Sequence, residues 1–227
     1  MSSRVTEVVS QTTNSGRAPR GTLFVVSSPS GGGKGSIIRR LLDVVRVPNL
    51  SYSVSYTTRA PRNGEVEGRE YFFVNRNSFE EMVAAGEFLE WANVHGNLYG
   101  TAKRQVLEET ANGVDIILEV DVQGAASVRK LLVDSISVFI LPPSYEVLRE
   151  RLIARGTDSP QELEVRLRNA PQELSQYTAF DYVILNDRLD RAAAQLASII
   201  DAERARCVRQ ETLVNAVIEE FKASDLK

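Results

Sequence analysis

Three consecutive glycines, Gly31, Gly32 and Gly33, run into Lys34, and Gly35 and Ser36 follow. That order suits the chemistry of a polyphosphate. Glycines adopt positive φ angles and let backbone N–H groups approach an anion with no Cβ in the way. A lysine behind them sets a point charge on the β- and γ-phosphates, and a helix opening there adds its own N-terminal N–H groups. The candidate nucleotide-phosphate loop comprises Ser28, Pro29, Ser30, Gly31, Gly32, Gly33, Lys34, Gly35 and Ser36. It departs from the general pattern G-x-x-x-x-G-K-[ST] at two places. Ser28 stands where the first glycine belongs, and Gly35 stands where a hydroxyl usually ligates Mg²⁺. Ser36, one place on, is the nearest hydroxyl. The alternative is a plain glycine turn with a solvated lysine, and the flanking elements argue against it.

Those elements are a strand and a helix. Residues 22–27 are apolar, β-branched or small with no polar alternation, as in a strand buried on both faces. After the loop, Ile37, Ile38, Leu41, Leu42 and Val45 recur at helical spacing. Further apolar strands are expected at 114–120, 136–141 and 182–185. Helices are expected at 102–110, 144–155 and 161–175, with one long helix from 189 onward. Strands alternating with helices predict an α/β fold, a three-layer phosphate-loop core whose parallel sheet is flanked by helices. Residues 54–100 interrupt it as a small, mostly β insertion. Strands are read at 51–58, 69–75, 87–94 and 97–101, and Ser78 with Glu81 forms a capping box that opens a short helix. The expected core therefore comprises 21–53, 101–142 and 176–227, with a helix pair at 143–175.

At 227 residues, 43% hydrophobic and 25% charged, the chain has the makeup of a globular domain with a sizeable core. A net charge of −3 offers no field for nucleic acid or an anionic membrane. The single Cys207 excludes an intrachain disulfide and fits a reducing, cytoplasmic setting. No apolar run reaches the roughly 18 residues that span a bilayer. Residues 1–20 lack the apolar core of a secretory signal and read as a disordered tail.

The stretch 53–74 contains Arg59-Ala-Pro-Arg62 and Tyr71, and it closely resembles the GMP-binding region of guanylate kinases. The resemblance continues through Phe88-Leu-Glu-Trp91, Gly96-Asn-Leu-Tyr-Gly-Thr101, Glu119-Val-Asp-Val-Gln-Gly124, Ile140-Leu-Pro-Pro-Ser144 and Val183-Ile-Leu-Asn-Asp187. It covers residues 21–205 in register. Gly35 behind the lysine also fits the loop form of nucleoside monophosphate kinases.

The resemblance implies that ATP and GMP (or dGMP) give ADP and GDP, with Mg²⁺. It assigns Arg59, Arg62, Tyr71 and Tyr99 to the GMP phosphate, where planar forks and hydroxyls suit a dianion. It assigns Glu90 to the guanine edge as acceptor for N1–H and the amine, with Ser55 and Thr101 beside it. Asp121 matches a position near guanine and metal, with a capping role as the alternative. The helix pair becomes a lid carrying Arg151, Arg155 and Arg166, which with Lys34 form the catalytic set. Asn186 matches an adenine-side position, or caps a helix. Mg²⁺ is expected on nucleotide oxygens and water, with Ser36 and Asp121 as protein ligands. His95 is not needed as a base, because the attacking phosphate oxygen is already ionised, and Trp91 reads as a core filler. The expected partners are small molecules, without nucleic acid or membrane, and self-association is left open. Two rivals are a non-catalytic scaffold module of this fold and a regulatory GTPase. The intact loop and arginines disfavour the first, and the missing Asn-Lys-x-Asp element disfavours the second.

Overall fold

A computed structural model describes residues 20–62, 64–94, 96–156 and 159–224. The chain opens with β1 (Leu23–Ser27), which feeds α1 (Lys34–Arg40), continued by a π-helical turn at Leu41–Val45. Short strands β2 (Leu50–Tyr52), β3 (Ser55–Thr57) and β4 (Tyr71–Phe73) precede α2 (Arg76–Ala84). Then come β5 (Phe88–Val94), β6 (Asn97–Ala102), α3 (Lys103–Ala111), β7 (Asp115–Glu119) and α4 (Val122–Leu131). Strand β8 (Ile136–Leu141) leads to α5 (Tyr145–Arg155) and α6 (Pro160–Ser175). Last are β9 (Tyr182–Leu185), α7 (Leu189–Arg204) and α8 (Cys207–Ser224).

Five strands form a wholly parallel sheet in the order β2-β7-β1-β8-β9. Strand β1 lies at its centre with every residue buried. Its side chains alternate between two cores, as the pleat requires. Phe24 and Val26 pack with Ile37, Ile38 and Leu41 after the loop and with Leu196 and Ile200 of α7. Leu23 and Val25 pack on the other face with Val106 of α3 and with Ala125 and Val128 of α4. Full burial of each such side chain stabilises the fold by about 1.5–3 kcal/mol. The three-layer expectation is met.

A second, mixed sheet runs β4-β3-β6-β5, with β3 parallel to β4 and antiparallel to β6. It has its own core of Phe79, Phe88 and Leu98, in which the two phenylalanine rings stack at 4.5 Å. Helices α5 and α6 share a fourth apolar cluster of Leu148, Leu152 and Ala170.

Several expectations need correcting. The single strand read at 51–58 is two strands in two sheets: β2 pairs with β7, and β3 with β4 and β6. Both halves alternate, and alternation does not reveal a change of partner. Helix α2 starts before Ser78, because the Asn75 side chain caps it by accepting from the Ser78 N–H at 2.8 Å. The strand at 182–185 exists but is not fully buried. β9 is an edge strand that puts Ile184 into the core and leaves Val183 and Leu185 exposed. The long C-terminal helix is two helices, broken between Arg204 and Cys207. Trp91 fills no core and lies half exposed on edge strand β5. The expectations for residues 1–19 and His95 fall outside the described residues.

Candidate active site

The phosphate loop leaves the carboxyl end of central strand β1 and turns through Gly31 at φ 82° and Gly33 at φ 90°. Inside the loop, the Gly32 N–H and the Ser28 hydroxyl both donate to the Pro29 carbonyl, at 2.9 and 2.8 Å. Three elements grip it from outside. Asn186, just past β9, donates to the Gly32 carbonyl at 2.9 Å. Arg151 of α5 donates to the Asn186 carbonyl at 2.9 Å and reaches Gly32 O at 3.5 Å. From α6, Arg166 donates to the Ser30 hydroxyl and Glu173 accepts the Ser30 N–H at 3.0 Å. A Cβ on Gly33 would sit 2.3 Å from the Asn186 amide nitrogen, so position 33 demands glycine for space as well as for φ.

The parallel register sets Val26 beside Glu119, which brings the end of β7 to the loop. Lys34 Nζ lies 3.8 Å from one Glu119 oxygen, and the Tyr52 hydroxyl donates to the other at 3.3 Å. Burial, reinforced by that carboxylate, holds the Tyr52 hydroxyl far above its ordinary range, so it stays a donor. A Cβ on Gly35 would come within 3.3 Å of both Glu119 oxygens. The glycine after the lysine therefore makes room for this carboxylate.

A second cluster sits on the mixed sheet. Arg59 makes a two-pronged contact with Glu65 at 2.8 and 2.9 Å, and Glu65 also accepts the Arg62 N–H at 2.7 Å. The Arg59 hydrogen bond holds Glu65 below the usual carboxylate range. The Arg59 guanidinium lies over the Tyr71 ring at 5.5 Å, and Tyr71 meets Tyr99 edge-on at 5.7 Å. Burial raises the Tyr71 hydroxyl, which keeps it protonated at neutral pH. Close by, Thr101 donates to Glu90 at 2.7 Å, and Ser55 approaches the Thr101 hydroxyl at 3.4 Å. Burial pushes Glu90 up to about 7, with Asp121 adding to the rise and Thr101 opposing it.

The expected site residues thus gather in two groups. Lys34, Arg151, Arg166 and Asn186 surround the loop, while Arg59, Tyr71, Tyr99, Glu90, Ser55 and Thr101 line the mixed sheet. Arg62 is exposed at the edge of the second group, and Ser36 is exposed on α1. Arg155 lies exposed at the end of α5. Asp121 does cap α4, accepting the Gly124 N–H at 2.7 Å, and a Cβ on Gly124 would lie 3.1 Å from Glu90 and 3.2 Å from Asp121. The cap and the position beside the guanine candidate coexist. Asn186 is not a helix cap; Arg188 occupies that place in α7 and makes no side-chain cap bond. Sequence reasoning passed over Glu65, Glu119 and Glu173. Glu119 had a signal, a carboxylate ending an apolar strand, whereas Glu65 and Glu173 had none.

A parallel sheet with a glycine loop after its central strand, joined to a mixed sheet with an arginine–tyrosine cluster, has the form of a nucleotide-binding phosphate-loop protein. The comparisons sharpen this. The guanylate kinase family profile matches residues 20–203. The chain is 49% identical over 208 residues to the guanylate kinase of Symbiobacterium thermophilum, covering 91% of this chain and 98% of that protein. It is 46% identical over 204 residues to that of Salmonella typhimurium, at 90% and 99% coverage. The crystal structure of guanylate kinase from Anaplasma phagocytophilum matches with a TM-score of 0.72 at 34% identity, covering 89% of this chain and 96% of that one. The chain belongs to the guanylate kinase family.

Proposed function

We propose that the chain transfers the γ-phosphoryl group of ATP to GMP or dGMP, giving ADP and GDP, and that the two residue groups divide the work. The observation that carries this is Glu90, a carboxylate largely removed from water beside Thr101 and Asp121, with Ser55 next to Thr101. Guanine offers N1–H and an exocyclic amine to such an acceptor. Adenine presents an acceptor at N1 and would leave the buried carboxylate unpaired. Sites built on that difference discriminate by ~10⁴-fold.

In this reading Arg59, Arg62, Tyr71 and Tyr99 hold the GMP phosphate, with Glu65 aiming Arg59. The loop from Ser28 to Ser36 holds the ATP phosphates and Asn186 supports the adenine side. Lys34, Arg151, Arg155 and Arg166 stabilise charge on the transferring oxygens. Helices α5 and α6 act as the lid. Arg155 joins the site only on closure, which also excludes the water that would otherwise take the phosphoryl group. The accepting oxygen is already anionic at neutral pH, so no general base is required.

The residues present suit Mg²⁺, a hard ion that takes one or two carboxylates and otherwise phosphate oxygens and water. Glu119 ends β7 beside Lys34 and Gly35, Asp121 caps α4 two residues on, and Ser36 lies in the first turn of α1. These three would hold the ion, which supplies charge neutralisation along the phosphates. No helix among the described residues is long and apolar enough to cross a membrane. We place the activity in the cytoplasm, with ATP and GMP as partners and neither nucleic acid nor membrane.

Two variants test the division. Lys34→Met should abolish turnover while keeping the folded circular dichroism spectrum. Arg59→Ala should raise the GMP KM by roughly ten-fold or more, the scale of a charge-assisted hydrogen bond, and leave the ATP KM alone. An unchanged GMP KM would move the phosphate site elsewhere.

A further inference from the structure

We infer that Glu173 is a positioning residue for the phosphate loop: its side chain pins the Pro29–Ser30 peptide from the lid and so sets how the loop presents itself to ATP. Glu173 and Ser30 are 143 residues apart in the chain, yet the Ser30 N–H donates to Glu173 Oε2 at 3.0 Å. The other half of the same peptide unit points inward. The Pro29 carbonyl accepts the Gly32 N–H at 2.9 Å and the Ser28 hydroxyl at 2.8 Å. The peptide plane is thus held at both ends, by the loop on one side and by α6 on the other. Rotation of that plane would carry the Pro29 carbonyl away from Gly32 and reopen the turn.

A carboxylate is an unexpected neighbour for a loop built to bind a polyanion, since its charge opposes the ligand. What it offers is an acceptor that reaches a loop backbone N–H from α6. The lid meets the same crest at two further points. Arg166, seven residues earlier on α6 and so on the same face, donates to the Ser30 hydroxyl. Leu148 and Leu152 of α5 lie where a Cβ on Gly31 would come within 3.0 and 2.9 Å. Glu173 stands two places before the end of α6, close to where the lid rejoins the core, whereas Arg166 lies about 10 Å further out along the helix. A lid swinging about its base can keep the Glu173 bond while Arg166 leaves Ser30 for the transferring phosphoryl group.

The inference rests on the loop being the ATP site, and the two fail separately. Turnover retained in Lys34→Met would sink the site reading, whereas the Glu173 series is read in KM values. Glu173→Ala should raise the ATP KM by roughly ten-fold and lower kcat, with the GMP KM unchanged. Glu173→Gln should restore both constants to within about two-fold, because its amide oxygen accepts the same N–H. Glu173→Asp, one methylene short, should behave like the alanine variant. The Gln and Asp variants hold polarity nearly constant, so they decide the matter even if the alanine variant folds poorly. An ATP KM within two-fold of the parent in Glu173→Ala would overturn the inference. So would rescue by Asp together with failure of Gln, which would make the effect one of charge.

Discussion

Glu90 carries opposed demands at the scale of the residue. The proposed contact with guanine requires an ionised acceptor, while burial disfavours that form and raises the group from 4.5 to about 7. The folded state therefore binds more protons than the unfolded chain between those pH values. The contribution of Glu90 to stability falls as pH rises through this window and stays low above it. By the conversion of pKa units to free energy the cost is about 3 kcal/mol at pH 8. Glu90→Gln keeps an acceptor for Thr101 and removes the charge. Urea unfolding should show the variant gaining about 1–3 kcal/mol over the parent between pH 5 and pH 8, with guanine preference weakened. A difference that does not change with pH would assign the burial cost to another group. The identity of Glu90 is legible in the sequence through the Phe88-Leu-Glu-Trp91 motif. The resemblance also names Thr101, Ser55 and Asp121 near it, but not the Thr101 bond at 2.7 Å or the burial that raises its pKa, which only the fold supplies.

At the scale of elements, the loop is a tight turn kept in shape by Asn186, just past β9, and by α5 and α6. Gly33→Ala would place a Cβ 2.3 Å from Asn186 at a φ of 90°, and should lose about 1–3 kcal/mol and most ATP affinity. Asn186→Ala should cost less, about 1–2 kcal/mol, because Arg151 still reaches Gly32 O at 3.5 Å. The double variant removes the clash it would otherwise suffer, so denaturation should give a loss smaller than the sum of the two. Strict additivity would mean that the two positions do not touch. Much of this scaffold can be read from the sequence. The strand at Ile136–Leu141 and the helix ends at Arg155 and Ser175 follow from apolar runs and from Gly156. The division at Tyr52–Ser55 cannot be read, since one alternating run serves two sheets. Nor can the grip of α6 on Ser30, which joins residues 143 positions apart and leaves no periodic trace.

At the scale of the molecule, the kinase fold closes before α8. None of that helix's 18 residues is buried, and the family match ends at residue 203. A chain ended after residue 206 should keep its kinetic constants and lose under about 3 °C in Tm, the equivalent of about 1 kcal/mol for a protein of this size. Lost turnover, or a fall beyond about 5 °C, would show that α8 supports the core. The central claim concerns the acceptor. In the proposed reading the two sheets carry the ATP-phosphate loop and the guanine acceptor Glu90, so the reaction should depend on which base carries the monophosphate. A coupled assay of ADP release with GMP, dGMP, AMP and UMP at equal concentration tests this most directly. The account predicts turnover with GMP and dGMP, and with AMP and UMP a kcat/KM lower by ~10³-fold or more. Absence of turnover with GMP, or equal rates with GMP and AMP, would contradict it.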